Sequence, residues 1–133
     1  MRLITVHQFH VSNGGADAMP VGGNTVYYTN AVKVEYAVNF ALIYKAAVSA
    51  GAPDLKIELE QSWRPPTTEY SSDGDYVEGA DVNDVESSLT ATTRKHKAVS
   101  PNTTKWLRLK ISGAAGNHAS ATLEAMLSMS EQL

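Results

Sequence analysis

The densest set of hard oxygen donors in this chain is the acidic run Asp73, Asp75, Glu78, Asp81, Asp84 and Glu86, broken by Gly74 and Gly79. Carboxylates in a glycine-containing loop are what calcium takes. An EF-hand alternates its first ligands, follows them with glycine and closes on a distal Glu. This run does not keep that order, so a solvated acidic loop is expected. The nitrogen donors are His7, His10, His96 and His118. His7 and His10 fall on opposite faces of a strand, and His96 sits among cations in Arg94-Lys95-His96-Lys97. No histidine zinc site is expected. Glu58 and Glu60 share one strand face and could serve as an acid/base pair, but an exposed, solvated face explains them. No Gly-x-Ser-x-Gly is present. The glycines between Asn13 and Asn24 lack the Lys-Ser/Thr of a phosphate loop. Neither enzymatic activity nor a cofactor is expected.

Aromatic and basic residues point instead to binding. Trp106 falls on the polar face of its strand beside Arg108 and Lys110, and Tyr27 shares a face with Thr25, Thr29 and Lys33. Exposed Trp, Tyr and Arg are enriched where proteins meet partners. Arg94 and Lys95 suit an acidic partner surface. Leu3 to Val11 reads as a strand without a decisively polar face, so its Phe9 side and its Ile4 side both call for cover. The candidate partner-binding residues are therefore Trp106, Arg108, Tyr27, Phe9, Arg94 and Lys95. Trp63, Trp106 and Tyr70 would be the platforms if the partner were a sugar.

The elements that must position these residues are strands. Tyr36, Val38, Phe40, Leu42, Tyr44, Ala46 and Val48 take alternate positions, and so do Leu55, Ile57, Leu59, Gln61 and Trp63. Successive side chains of a strand point to opposite faces, so each run has one buried face. An alanine-rich helix over residues 31–50 would split the first set between two sides of the wheel. With Gly51-Ala52-Pro53-Asp54 as the connection, the two runs predict a long hairpin. Leu107, Leu109 and Ile111, then Ala119 to Met129 beyond Gly113–Asn117, predict a second hairpin. Thr25 to Val34 reads as one strand with Val26, Tyr28, Val32 and Val34 on one side. Ser12 to Asn24 reads as a loop, and residues 64–90 as a long polar loop, of which Thr67–Ser88 is expected to be mobile in the free protein and to order on assembly. Roughly six to eight strands without a repeat predict an all-β, antiparallel, jelly-roll-like β-sandwich, with residues 1–133 as a single domain.

Composition narrows the class further. The 133 residues are 43% hydrophobic and 19% charged, with a formal net charge of −3. That balance gives no electrostatic basis for binding nucleic acid. There are no cysteines, which removes disulfides and thiolate metal sites. Lys33, Glu35, Asn39 and Lys45 interrupt the most apolar stretch, so no membrane span is expected. No apolar leader follows Met1, and a soluble protein made in the cytoplasm is expected.

In general plan, carried by Tyr36–Val48, Asp54–Trp63, Lys105–Ser112 and Ala119–Ser128, the chain resembles the small jelly-roll structural proteins of tailed-bacteriophage virions, especially capsid decoration (cement) proteins. The resemblance implies a homo-oligomer, with a trimer favoured, that binds the major capsid protein on the capsid surface of the virion and clamps neighbouring subunits. A carbohydrate-binding β-sandwich, free-standing or as a receptor-binding piece, is the alternative.

Overall fold

A computed structural model describes residues 2–11, 18–21, 26–34, 37–48, 55–78, 84–89, 93–99, 105–113 and 119–132. Its strands are β1 (Arg2–Phe9), β2 (Ala18–Val21), β3 (Val26–Tyr28), β4 (Val32–Lys33), β5 (Ala37–Val48), β6 (Leu55–Ser62), β7 (Val77–Glu78), β8 (Asp84–Leu89), β9 (Thr93–Val99), β10 (Trp106–Gly113) and β11 (Ala119–Gln132). They form two antiparallel sheets. Sheet A runs β1-β11-β5-β9 with β2 paired to β11, and sheet B runs β3-β10-β6-β7 with β4 on β10 and β8 on β6. The protein is an all-β, jelly-roll-like sandwich. Among the described residues no helix is long and apolar enough to cross a membrane.

The alternation sets which side chains fill the space between the sheets. Sheet A contributes Phe9, Leu42, Tyr44, Leu123, Ala125, Leu127 and Met129, and sheet B contributes Val32, Ile57, Leu59, Val85, Leu107, Leu109 and Ile111. Phe40 is partly buried against the same cluster. Each fully buried Leu or Ile is worth about 1.5–3 kcal/mol relative to exposure, so this layer dominates the stability of the sandwich.

Neither expected hairpin forms. The ladder of β5 is with β11, where Leu42 faces Leu127, and with β9. The ladder of β6 is with β10, where Leu59 faces Leu109. Thus β5 and β6 lie in different sheets, as do β10 and β11. Leu42 and Tyr44, Ile57 and Leu59, Leu107, Leu109 and Ile111, and Leu123, Ala125, Leu127 and Met129 are buried as the alternation predicts. Trp63, expected beside Leu59, is exposed, and the two strands of each expected hairpin enter opposite sheets. Two strands with one apolar face each can bury those faces against one another only by entering opposite layers. The connections at 51–54 and 114–117 lie outside the described residues.

The expected strand over 25–34 is two strands, and the break reverses its facing. Tyr27 packs against the core and Thr29 is buried, whereas after the break Val32 and Val34 are the buried side chains. Thr29 keeps the ladder closed across the irregularity: its N–H donates to the Leu109 carbonyl (3.0 Å), and its hydroxyl accepts from the Leu109 N–H (2.8 Å). The Asn30 side chain accepts from the His10 N–H (2.6 Å) and donates to the Gln8 carbonyl (3.2 Å), tying the end of β1 to this turn. Ala18–Val21, expected within a loop, is a strand on β11. The loop expected over 64–90 contains β7 and β8, and residues 79–83 lie outside the described residues.

Candidate functional site

On β10 the alternation that sends Leu107, Leu109 and Ile111 inward turns Trp106, Arg108 and Lys110 to the outer face of sheet B. The register with β6 sets Arg108 opposite Glu60, Lys110 opposite Glu58 and Trp106 opposite Ser62. Opposite charges facing across a ladder attract. This face is nevertheless not open to solvent: Glu58, Glu60, Ser62 and Arg108 are all buried. Residues 64–76 cross over it and form a roof.

Arg108 holds that roof down. Its Nε donates to Glu60 Oε1 (2.9 Å), and its Nη1 donates to the Ser71 carbonyl (2.7 Å). The rings of Tyr28 and Tyr76 lie on the guanidinium, each centroid 4.4 Å from its central carbon. Such stacking is worth up to about 2 kcal/mol when desolvated. The planar, weakly hydrated guanidinium suits a place between two rings better than a lysine ammonium would.

The roof has its own clasp. Arg64 pairs with Asp73 (2.9 Å) and with Asp75, and donates to the Pro65 carbonyl (2.8 Å) and the Thr67 hydroxyl (2.9 Å). Asp73 also accepts the N–H groups of Thr67 (3.0 Å) and Asp75 (3.1 Å). The Tyr76 hydroxyl donates to the Arg64 carbonyl (2.9 Å), closing the loop on itself. Tyr70 turns the chain with a positive φ of 62°, a strain of about 1–3 kcal/mol that the surrounding bonds must hold.

The electrostatics follow from this enclosure. Burial raises the Glu60 carboxyl above its ordinary value, and the charge and hydrogen bond of Arg108 only partly offset that. Backbone N–H donors, then Arg64, hold Asp73 below the usual carboxylate range. Burial pushes the Tyr76 phenol up to about 12. A guanidinium covered on both faces and a carboxylate tied to it make a lock, not an open catalytic centre. Asp73 and Asp75, expected to belong to a solvated acidic loop, are engaged by Arg64. Among the described residues no cluster of three His, Cys, Asp or Glu could hold a metal.

The outer face of sheet A has the opposite character. Ile4 is 68% exposed, Val6 57% and Met126 39%. Register sets Gln8, Met126, Ile43 and His96 in one row across β1, β11, β5 and β9. Val6 lies opposite Ser128, one diagonal step from Met126. Beside Ile43 and Met126, a groove of about 270 Å³ is flanked by Lys45, Arg94 and Glu124.

The six residues expected to bind a partner do not converge. Phe9 is in the core at 1% exposure, because β1 turns it inward opposite Ala125. Tyr27 packs against the core. Arg108, expected on an open face, is 0% exposed beneath the roof. Trp106 is half-buried, and Arg94 and Lys95 are exposed on β9. Glu58 and Glu60, expected to be solvated, are buried. Of the expected sugar platforms, Trp63 is 67% exposed and Tyr70 half-buried. Ile4, Val6 and Met126 were legible only as apolar residues on strands. No local signal marked Tyr28, Tyr76 and Arg64 as partners of the roof.

No protein-family model matches the sequence, and no curated protein matches it. Among solved structures, the chain is similar to the VP2 subviral particle of infectious bursal disease virus, with TM-score 0.49 and 8% identity, covering 98% of this chain and 33% of that one. It is also similar to a structure described as "CBM4 structure and function" (TM-score 0.45, 14% identity, 97% of this chain and 90% of that one). A third is a family two carbohydrate esterase from Cellvibrio japonicus (TM-score 0.40, 9% identity, 99% and 35%). The chain spans about a third of the length of the viral chain. At these scores and identities the likeness is one of form. The class that the strands define is an all-β, jelly-roll-like sandwich.

Proposed function

We propose that this protein is a non-enzymatic docking component of a particle, a decoration (cement) protein on the capsid surface of a tailed-bacteriophage virion. It acts as a homo-oligomer, with a trimer favoured, and clamps neighbouring copies of the major capsid protein through the outer face of sheet A. The observation that carries this reading is the exposure of Ile4, Val6 and Met126 together on one sheet face. Burying adjacent apolar side chains against a partner is favourable, and repetition over a shell multiplies a modest affinity per site. The test is co-sedimentation of the protein with its megadalton shell, for the wild type and for Ile4→Lys with Val6→Lys. Wild-type protein should travel with the shell and the variant should not. Equal occupancy by both, or no occupancy by either, would refute the docking face.

A second reading has its own observation. Trp63 is 67% exposed at the end of β6, where an indole ring could stack on a sugar. Retention of the wild type on immobilised polysaccharide, lost in Trp63→Ala, would favour a carbohydrate-binding module instead.

A further inference from the structure

We propose that Asp73–Gly74 is a site of spontaneous isoaspartate formation, and that the Arg64 clasp holds this reaction in check while the roof is closed. The proposal is independent of what the two sheet faces bind. Asp73 is the only aspartate in the chain followed by glycine. Glycine puts no side chain in the way of its own nitrogen, so this is the aspartyl bond most open to ring closure. The fold does not require glycine here. The backbone of Gly74 lies outside the left-handed region, and a Cβ at this position would meet nothing within 4 Å.

In the reaction the Gly74 nitrogen attacks Cγ of Asp73. Its proton and the carboxyl hydroxyl leave as water, closing a succinimide ring. Water then opens the ring at either carbonyl: cleavage at Cγ returns aspartate, and cleavage at the former main-chain carbonyl gives isoaspartate. One water leaves and one returns, so no other reactant is needed. Ring closure requires a neutral carboxyl that is free to rotate towards the nitrogen, and the clasp opposes both. Oδ1 accepts from Arg64 Nη2 (2.9 Å) and from the Asp75 N–H (3.1 Å), and Oδ2 accepts from the Thr67 N–H (3.0 Å). The Asp73 side chain is only 6% exposed. A proton on either oxygen would face a donor where an acceptor is needed, and the group is held below the usual carboxylate range. Reaction is therefore confined to moments when residues 64–76 open locally.

The product cannot rebuild the clasp. In isoaspartate the carboxylate sits on Cα and the main chain gains a methylene, so one group no longer meets Thr67, Asp75 and Arg64 together. The roof is then left with the Arg108 bond to Ser71 and the Tyr76 hydroxyl bond. A prolonged opening thus becomes a permanent one, and the pair acts as a one-way latch.

The test follows isoaspartate at position 73 in the full chain during long incubation in warm, neutral buffer. Peptide mapping with enzymatic methylation of the isoaspartyl carboxylate reads it. Asn13-Gly14 forms the same ring with loss of ammonia and a change of mass, so mapping separates the two. A synthetic peptide of residues 67–78 sets the unprotected rate. The folded wild type should react at least about tenfold more slowly than the peptide, and Arg64→Gln about tenfold faster than the wild type. Should Arg64→Gln not fold, Tyr76→Phe, which deletes only the hydroxyl bond to the Arg64 carbonyl, should accelerate the reaction in the same direction. Gly74→Ala should suppress the product with melting unchanged. The separated isoaspartate form should be cut by chymotrypsin at Tyr70 faster than its parent. Equal rates in peptide and wild type, no acceleration in a folded clasp variant, or undiminished product in Gly74→Ala would overturn the gated site. Equal cleavage of the two forms would overturn the latch.

Discussion

The outer faces of the two sheets invert the usual relation between polarity and exposure. On sheet B the outward positions carry Glu58, Glu60, Ser62 and Arg108, and all are buried. On sheet A they carry Ile4, Val6 and Met126, and all are exposed. Charges are tolerated under the roof because the register supplies an opposite charge and the loop supplies a carbonyl and a ring. A buried ion pair of this kind adds little net stability over an apolar substitute, but removing one partner is costly. On the other face Ile4 and Val6 stay more than half exposed. One face is completed by the protein itself, and in our reading the other is completed by a partner.

The largest expected effect is on the roofed face. Arg108→Ala leaves Glu60 buried without its counter-charge and separates two tyrosines from the ring stack, and it should cost about 3–5 kcal/mol in denaturant unfolding. Arg108→Lys should not restore it, since an ammonium lacks the planar guanidinium that lies against the two rings while reaching both Glu60 and the Ser71 carbonyl. A change under about 1 kcal/mol would mean that the roof is anchored elsewhere.

On the bare face the signs reverse. Ile4→Lys with Val6→Lys should leave unfolding within about 0.5 kcal/mol of the wild type and weaken docking by about 2 kcal/mol or more. A large loss of stability with normal occupancy would show that the face is already covered within the protein.

Acid sharpens the contrast, because the titrating groups with resolved shifts belong to the roof. The Glu60 carboxyl is raised above 4.5, so its ionisation is less favourable folded than unfolded. That cost is absent below the unfolded value and sets in as pH rises through the folded one, so acidification from neutrality towards 4.5 should stabilise the fold through Glu60. Asp73 is lowered below 3.8, so its contribution is present above that value and is lost as pH falls further. Melting curves of the wild type, Glu60→Gln and Asp73→Asn against pH should separate the two limbs. The same dependence in wild type and Glu60→Gln would remove Glu60 from the account.

The smallest effect is local. Asp73→Ala should speed chymotryptic cleavage at Tyr70 and lower the main unfolding transition only by the small amount that the wild type loses as pH falls below 3.8, because the clasp holds the loop and not the sheets. Unchanged cleavage would show that the Arg108 stack alone keeps the roof closed.

Much of the architecture was fixed by local pattern. The alternation of Leu42 and Tyr44, of Ile57 and Leu59, and of Leu107, Leu109 and Ile111 was enough to identify strands and the faces they bury, because a strand's period is a property of its backbone. The first strand's lack of a polar face leads to the expectation that both its sides are covered; within the protein the Phe9 side is covered and Ile4 and Val6 are exposed. Alternation cannot say whether two consecutive amphipathic strands pair or stack, since both arrangements bury the same side chains. Only the tertiary structure put β5 and β6 in opposite sheets, with β11 beside β5 and β10 beside β6. Alternation also assigns an outward residue to solvent, so Arg108 and Glu60 read as exposed until residues 64–76 folded across them. The break at Thr29 and Asn30 is a related case: one irregular step reverses every side chain that follows, so Val32 and Val34 face the core on the opposite parity from Tyr27 and Thr29. The sequence by itself determined what each strand must hide. Which surfaces remained open was decided by segments distant in sequence, through contacts that no local period encodes.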